Sequence, residues 1–136
     1  MSTHISNVSL TKKDVLAIIK NNPNLFDRGS STVNANEVNN VIQFLKDFVS
    51  TKAKYISTSQ IRNLYAKCRA ASSDVELQMM RPYITYTLAR QLRPKDPNVQ
   101  DFFSFIDELI KQGVSYNTFQ KIFEAIVAYH KYYGQR

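Results

Sequence analysis

The sequence predicts an all-α protein, a single-domain bundle of five or six helices joined by short loops. Apolar residues recur at steps of three and four along most of the chain, whereas no segment alternates as a half-buried strand does. The 136 residues include only three glycines and four prolines, so the turns that a many-stranded sheet needs are scarce. This length suits one domain, residues 1–136, with residues 1–10 as a flexible N-terminal tail.

The first two helices are predicted from their caps and their apolar stripes. Thr11 can cap a short helix that Pro23 ends, because the residue before a proline avoids helical angles. Residues 22–33 have no periodic pattern and are expected to form a loop. Asn34 is followed three residues later by a glutamate, the spacing of a capping box, and this predicts a helix over about 35–52. The apolar stripe of that helix is Val38, Val41, Ile42, Leu45, Phe48 and Val49.

Two further helical segments are predicted between residues 58 and 93. Ser57 can cap a helix over about 58–71, with Gln60 completing a capping box. Residues 74–93 have a helical pattern that Pro82 interrupts, which predicts either a kink or a break with a new helix at the proline. The residues of this segment expected on its apolar side are Ile84, Leu88 and Leu92.

The last two helices have clear ends. Asn98 can cap a helix that Gly113 closes, and Ser115 can cap a final helix that Gly134 stops. The predicted buried face of the first is Val99, Phe102, Phe103, Ile106, Leu109 and Ile110. That of the second is Phe119, Ile122, Phe123, Ile126, Val127, Tyr129 and Tyr133.

Positive charge is concentrated between Lys52 and Lys95. This segment contains nine basic and two acidic residues, and its excess equals the net charge of +7 of the whole chain. Such a field attracts polyanions, although a solvated helix face can have the same composition. The residues predicted to bind nucleic acid are Lys52, Lys54, Arg62, Lys67, Arg69, Arg81, Arg90 and Arg93.

Tyrosines accompany these basic residues on one predicted helix face. Tyr83 and Tyr86 share that face with Arg90 and Arg93. Tyrosine rings can stack on bases and arginines can bind phosphates in a bidentate manner, but tyrosine at helical spacing also packs in cores. Two phenylalanines lie at the edges of other apolar stripes, and each can be either an interface anchor or a core residue. They are Phe44 and Phe105.

Neither catalysis nor a cofactor is predicted. His130 has no carboxylate or nucleophile at the sequence spacing of a known catalytic motif, so it is expected to be a buried or interface histidine. His4 lies in the predicted N-terminal tail. Cys68 is the only cysteine, so neither an internal disulfide nor a zinc cluster is expected. No run approaches the roughly 18 apolar residues of a membrane helix. We therefore expect a cytoplasmic protein with no membrane, metal or cofactor partner.

Three stretches in this order resemble the small helical subunit of type III-A CRISPR interference (Csm) complexes. They are STSQIRNLY at 57–65, LQMMRPYITYTLARQ at 77–91 and FQKIFEAIVAYHKYYG at 119–134. The resemblance implies an all-α, non-catalytic RNA-binding subunit for antiviral defence, present in several copies among other subunits. It also implies that the protein lines the channel of the guide RNA–target RNA duplex and contacts the sugar-phosphate backbone. Its motifs match Arg62, Arg81 and Arg90, and the other basic residues are added by charge alone.

Two other hypotheses remain at this stage. The first is a helical protein–protein scaffold whose basic face docks an acidic partner without RNA contact. The second is a small nuclease or RNA-modifying enzyme, which would need a converging cluster of acidic residues that the sequence does not show.

Overall fold

The computed structural model describes residues 10–27 and 35–134. These residues form six helices of nine residues or more, one helix of five residues, a 3₁₀ turn at Ala53–Tyr55, and no strand. The helices are α1 (Lys12–Asn21), α2 (Ala35–Lys52), α3 (Thr58–Ala70), α4 (Asp74–Gln78), α5 (Arg81–Ala89), α6 (Pro97–Lys111) and α7 (Tyr116–Tyr133). The predicted all-α bundle is therefore confirmed.

Most predicted helix starts are confirmed, with two corrections. Thr11 and Asp14 form a complete capping box on α1, and Ser115 caps α7. Ser57 accepts from the backbone N–H of Gln60, but its own N–H bonds elsewhere, so the second predicted box is only half formed. The cap of α6 is Asp96 rather than the predicted Asn98, because Pro97 already occupies the first helical position. The predicted Asn34 cap and the tail at 1–9 lie outside the described residues.

The segment around Pro82 breaks rather than kinks. α4 ends at Gln78, and α5 begins at Arg81 with the proline in its first turn, where the missing N–H costs nothing. α5 then ends at Ala89, before the predicted end at 93. Leu92 is consequently off the helix and 93% exposed, so its predicted place on the apolar side is wrong.

The core lies where α2, α6 and α7 meet. Four phenylalanines form its centre, with ring centroids 5.0 Å apart for Phe48 and Phe105 and 5.4 Å apart for Phe44 and Phe105. Phe105 is fully buried and Phe44 is 8% exposed, so both are core residues and not interface anchors. Phe102 stacks on Phe48 on the other side. Aromatic pairs at these distances add to the free energy of burial, so this cluster fixes the position of α6 against α2.

Three helix pairs place the basic segment on the surface of this core. α3 packs on α7, and α5 packs on α6 and α3. His130, on α7, is 2% exposed and donates from Nε2 to the carbonyl oxygen of Ile56 at 3.0 Å. Its predicted buried position is confirmed, and its hydrogen bond holds the connection between the 3₁₀ turn and α3. Gly113, with a φ of +91°, turns the chain from α6 into α7.

Candidate nucleic-acid interface

Lys52, at the end of α2, is part of a partly buried ion-pair cluster rather than an exposed cation. Its Nζ lies 3.2 Å from a carboxylate oxygen of Asp101 and 5.0 Å from the ring centroid of Phe48, and its side chain is only 13% exposed. Lys12 pairs with the same carboxylate. Burial raises the pKa of Asp101, but the hydrogen bonds and charges of the two lysines outweigh it, and the pKa lies below its usual value. Lys52 therefore joins α2 to α1 and α6.

Arg81 is also bound to a carboxylate of α6. Its Nε donates to Oδ1 of Asp107 at 2.9 Å and its Nη2 donates to Oδ2 at 3.1 Å, a bidentate pair. The hydrogen bond and then the charge of Asp107 raise the pKa of the guanidinium above its usual value. The acidic residues that neutralise Lys52 and Arg81 thus come from α6, outside the basic segment.

Arg62 and Arg69 are exposed on one flank of α3, seven residues apart and so about 10 Å apart along the helix axis. Arg69 lies over the ring of Tyr65, 5.9 Å from its centroid. Tyr65 in turn meets Phe123 of α7 edge to face, with centroids 5.9 Å apart. Within the described part of the chain, neither arginine has a carboxylate at ion-pair distance. Their charge is therefore available to a partner.

The opposite flank of α3 faces α5 through a row of cations and rings. Lys67 lies 5.1 Å from the ring centroid of Tyr83, and that ring is 5.9 Å from the ring of Tyr86. Arg90 lies over Tyr86 at 5.5 Å and donates from Nη1 to its hydroxyl oxygen at 3.1 Å. Arg90 is exposed, and so is Tyr86, at 53%. Cation–π contacts of this kind hold the side chains in place without neutralising their charge.

The same two helices run antiparallel, and Gln91 joins one end of the pair. Its Oε1 accepts from the backbone N–H of Ser57 at 2.9 Å, and its Nε2 donates to the carbonyl oxygen of Thr87 at 3.1 Å. Sequence reasoning missed this residue, although the spacing of four from Thr87 was a signal for it. The contact places Arg90 beside the start of α3, where Lys54 lies exposed in the 3₁₀ turn.

Six of the eight predicted binding residues therefore have side chains that the fold leaves on the surface. Lys54 lies 5.3 Å from the ring centroid of Tyr55, and Arg93 is exposed just beyond α5. Across residues 10–27 and 35–134, none of the six forms an ion pair. We call these six the basic surface: Lys54, Arg62, Lys67, Arg69, Arg90 and Arg93.

The described residues contain no group of three or more histidine, cysteine, aspartate or glutamate side chains that could hold a metal ion. Cys68, on the inner face of α3, is fully buried, and burial raises the pKa of its thiol to about 12, so it stays protonated. Among the described helices, none is long and apolar enough to cross a membrane.

Comparison with known protein families yields a match. The model of a protein family described as Csm2 Type III-A matches residues 35–136, which include α2 to α7 and all of the basic surface. No curated protein and no solved structure matches the chain.

Proposed function

Because the chain belongs to the Csm2 Type III-A family, and so is a small subunit of the type III-A CRISPR (Csm) complex, we propose that it holds the guide RNA–target RNA duplex by its sugar-phosphate backbone. In this proposal the subunit is not catalytic and acts in antiviral defence in the cytoplasm. Its partners are the guide RNA, the target RNA, the other subunits of the complex and further copies of itself.

The observation that carries the proposal is that, within the described residues, none of the six exposed cations of the basic surface forms an ion pair. A basic residue that only solubilises a helix can tolerate a nearby carboxylate, whereas one that binds phosphate needs its charge free. Lys52 and Arg81 are engaged with α6 carboxylates. We therefore assign these two to holding α6 in place and the six exposed cations to the phosphates.

The arrangement of the basic surface supports backbone contact over base reading. Its cations are spread along α3 and around the end of α5, so they can follow phosphates that are regularly spaced along a strand. Base pairing with the guide already supplies sequence specificity, so the protein has no need to read base edges. Contacts of this kind neutralise phosphates and release counterions, which makes the affinity depend strongly on salt.

The experiment reverses two charges that have no carboxylate partner within the described residues. The double variant R62E/R69E is compared with K13E/K46E, which makes the same charge change at exposed positions on α1 and α2. Affinity for a labelled, fully paired guide–target duplex is measured over a salt series, both for the assembled complex and for the chain alone. In a plot of log affinity against log salt concentration, the slope for R62E/R69E should be smaller in magnitude than that of the wild type by about 1.4 to 1.8, because each lost phosphate contact removes about 0.7 to 0.9. Unrelated duplex sequences should be weakened equally.

Three results would count against the proposal. The first is wild-type affinity of the R62E/R69E complex for the duplex. The second is an equal loss in K13E/K46E, which would mean that only the net charge matters. The third is an R62E/R69E variant that fails to join the complex although the chain alone binds RNA as tightly as the wild type does, which is the result expected of a protein scaffold. Far-ultraviolet circular dichroism should show the same helix content in all variants, because exposed charges contribute little to stability.

A further inference from the structure

An open groove of about 350 Å³ lies between the end of α3 and the α4–α5 connection. Its apolar lining comes from Ala70, Ala71, Met79 and Met80. Met79 is 72% exposed, although a methionine of a globular protein usually packs away from water. The groove is therefore an apolar recess that adjoins the basic surface at Lys67.

The charged groups of the groove favour a neutral ligand inside it. Lys67 and Glu76 both line it, so one positive and one negative charge face the same space. Glu76 is held in place because its Oε1 accepts from the backbone N–H of Ser72 at 2.8 Å and from the hydroxyl of Ser72 at 3.1 Å. A phosphate inside the groove would meet this carboxylate, whereas a phosphate outside it could still pair with Lys67.

Tyr83 gives the groove an aromatic wall that continues onto the basic surface. Its ring lines the groove and is also part of the row of cations and rings that runs from Lys67 through Tyr86 to Arg90. Aromatic side chains beside a positively charged path are the usual platform on which proteins stack unpaired bases. A flat, neutral and largely apolar ligand joined to a phosphate matches these features together.

We propose that the groove binds one unpaired nucleobase of the bound RNA, stacked on Tyr83, with the phosphate of that nucleotide on Lys67. This rests on the proposed function and adds a base contact to the backbone contacts of the paired strands. An aliphatic side chain of a protein partner would also fill an apolar recess. The cation at its rim and the adjoining basic surface favour the nucleotide.

The test fills the groove without changing its charge. Ala70→Leu adds bulk at a groove-lining position, and Ala66→Leu adds the same bulk at an exposed position one turn earlier on α3 that does not line the groove. Two RNA probes are used with the full-length chain and with the assembled complex. One is a fully paired duplex, and the other is the same duplex with a single extra unpaired 2-aminopurine nucleotide, whose fluorescence falls when it stacks.

Wild-type protein and A66L are expected to bind the probe with the unpaired base about 5- to 150-fold more tightly than the paired one, the range of a single base–aromatic stack. A70L should bind both probes equally and should lose the fluorescence quenching. Equal affinity of wild-type protein for the two probes would overturn the inference but leave the proposed function intact. Failure of the wild-type complex to bind the paired duplex would instead overturn the proposed function. An A70L variant that keeps its preference, or that only fails to join the complex, would mean that no base enters the groove.

Discussion

His130 is expected to make the protein less stable as the pH falls from neutrality. The imidazole is 2% exposed and Nε2 donates to the carbonyl oxygen of Ile56 at 3.0 Å. Burial lowers the pKa of His130 below its usual value of 6.5, and hydrogen bonds to the carbonyls of Ile56 and Ala53 offset only part of this. The folded protein therefore keeps the ring neutral at a pH where the unfolded chain protonates it.

The sign and size of the effect follow from this difference. Between the two pKa values the unfolded chain binds one more proton, so the free energy of unfolding decreases as the pH falls, with a slope of at most about 1.4 kcal/mol per pH unit. From about pH 7.5 to about pH 5.5 the loss can reach about 1.4 kcal/mol. The pKa values of Asp14 and Asp101 are lowered from 3.8, so the stability that these carboxylates provide is lost only at more acidic pH.

Urea unfolding followed by far-ultraviolet circular dichroism measures this slope at a series of pH values. The variant H130Q should be less stable near neutral pH and should show an almost flat profile over the same range, because glutamine does not titrate. The matched control is H4Q, which removes the other histidine and should keep the wild-type slope. The reasoning would be refuted by an H130Q profile as steep as that of the wild type, or by a slope that disappears in H4Q.

Two further predictions concern contacts that only the fold brings together. Variants R81Q and D107N should each lower the urea midpoint, and the double variant should lower it no further than the worse single one, since both break the same pair of hydrogen bonds. If the double variant lowered the urea midpoint by the sum of the two single decreases, that pairing would be contradicted. Gln91→Leu should reduce the free energy of unfolding by about 1–3 kcal/mol because it leaves the backbone N–H that starts α3 without its partner. Leu92→Ser should stay within about 0.5 kcal/mol of the wild type, and a larger loss in Leu92→Ser than in Gln91→Leu would contradict the exposed position of Leu92.

The helices were predictable because their signals are local. The caps Thr11 and Ser115, the stripe of α2 and the closing Gly113 act over three or four residues, and the structure keeps all of them. The errors occur where two local signals compete. Pro97 moved the start of α6 back to Asp96, and the early end of α5 exposed Leu92.

The candidate site was predictable as a set of residues but not as a surface. In the sequence, nothing distinguishes Arg62 from Arg81, since both are arginines of the same basic segment. The structure leaves Arg62 exposed and binds Arg81 to Asp107, which is 26 residues further along the chain. No local pattern indicates such a pairing, because it depends on how α5 lies against α6.

The sequence by itself therefore determined the all-α class, most helix boundaries and the location of the positive charge, because periodicity, capping and composition are properties of short stretches. Only the tertiary structure decided which of those charges remain free. Helix packing brings the carboxylates of α6 to Lys52 and Arg81, and it leaves the other six predicted cations on the surface, four of them beside tyrosine rings. Ion pairing is decided by distance in space, and distance in space between remote residues is set by the packed core.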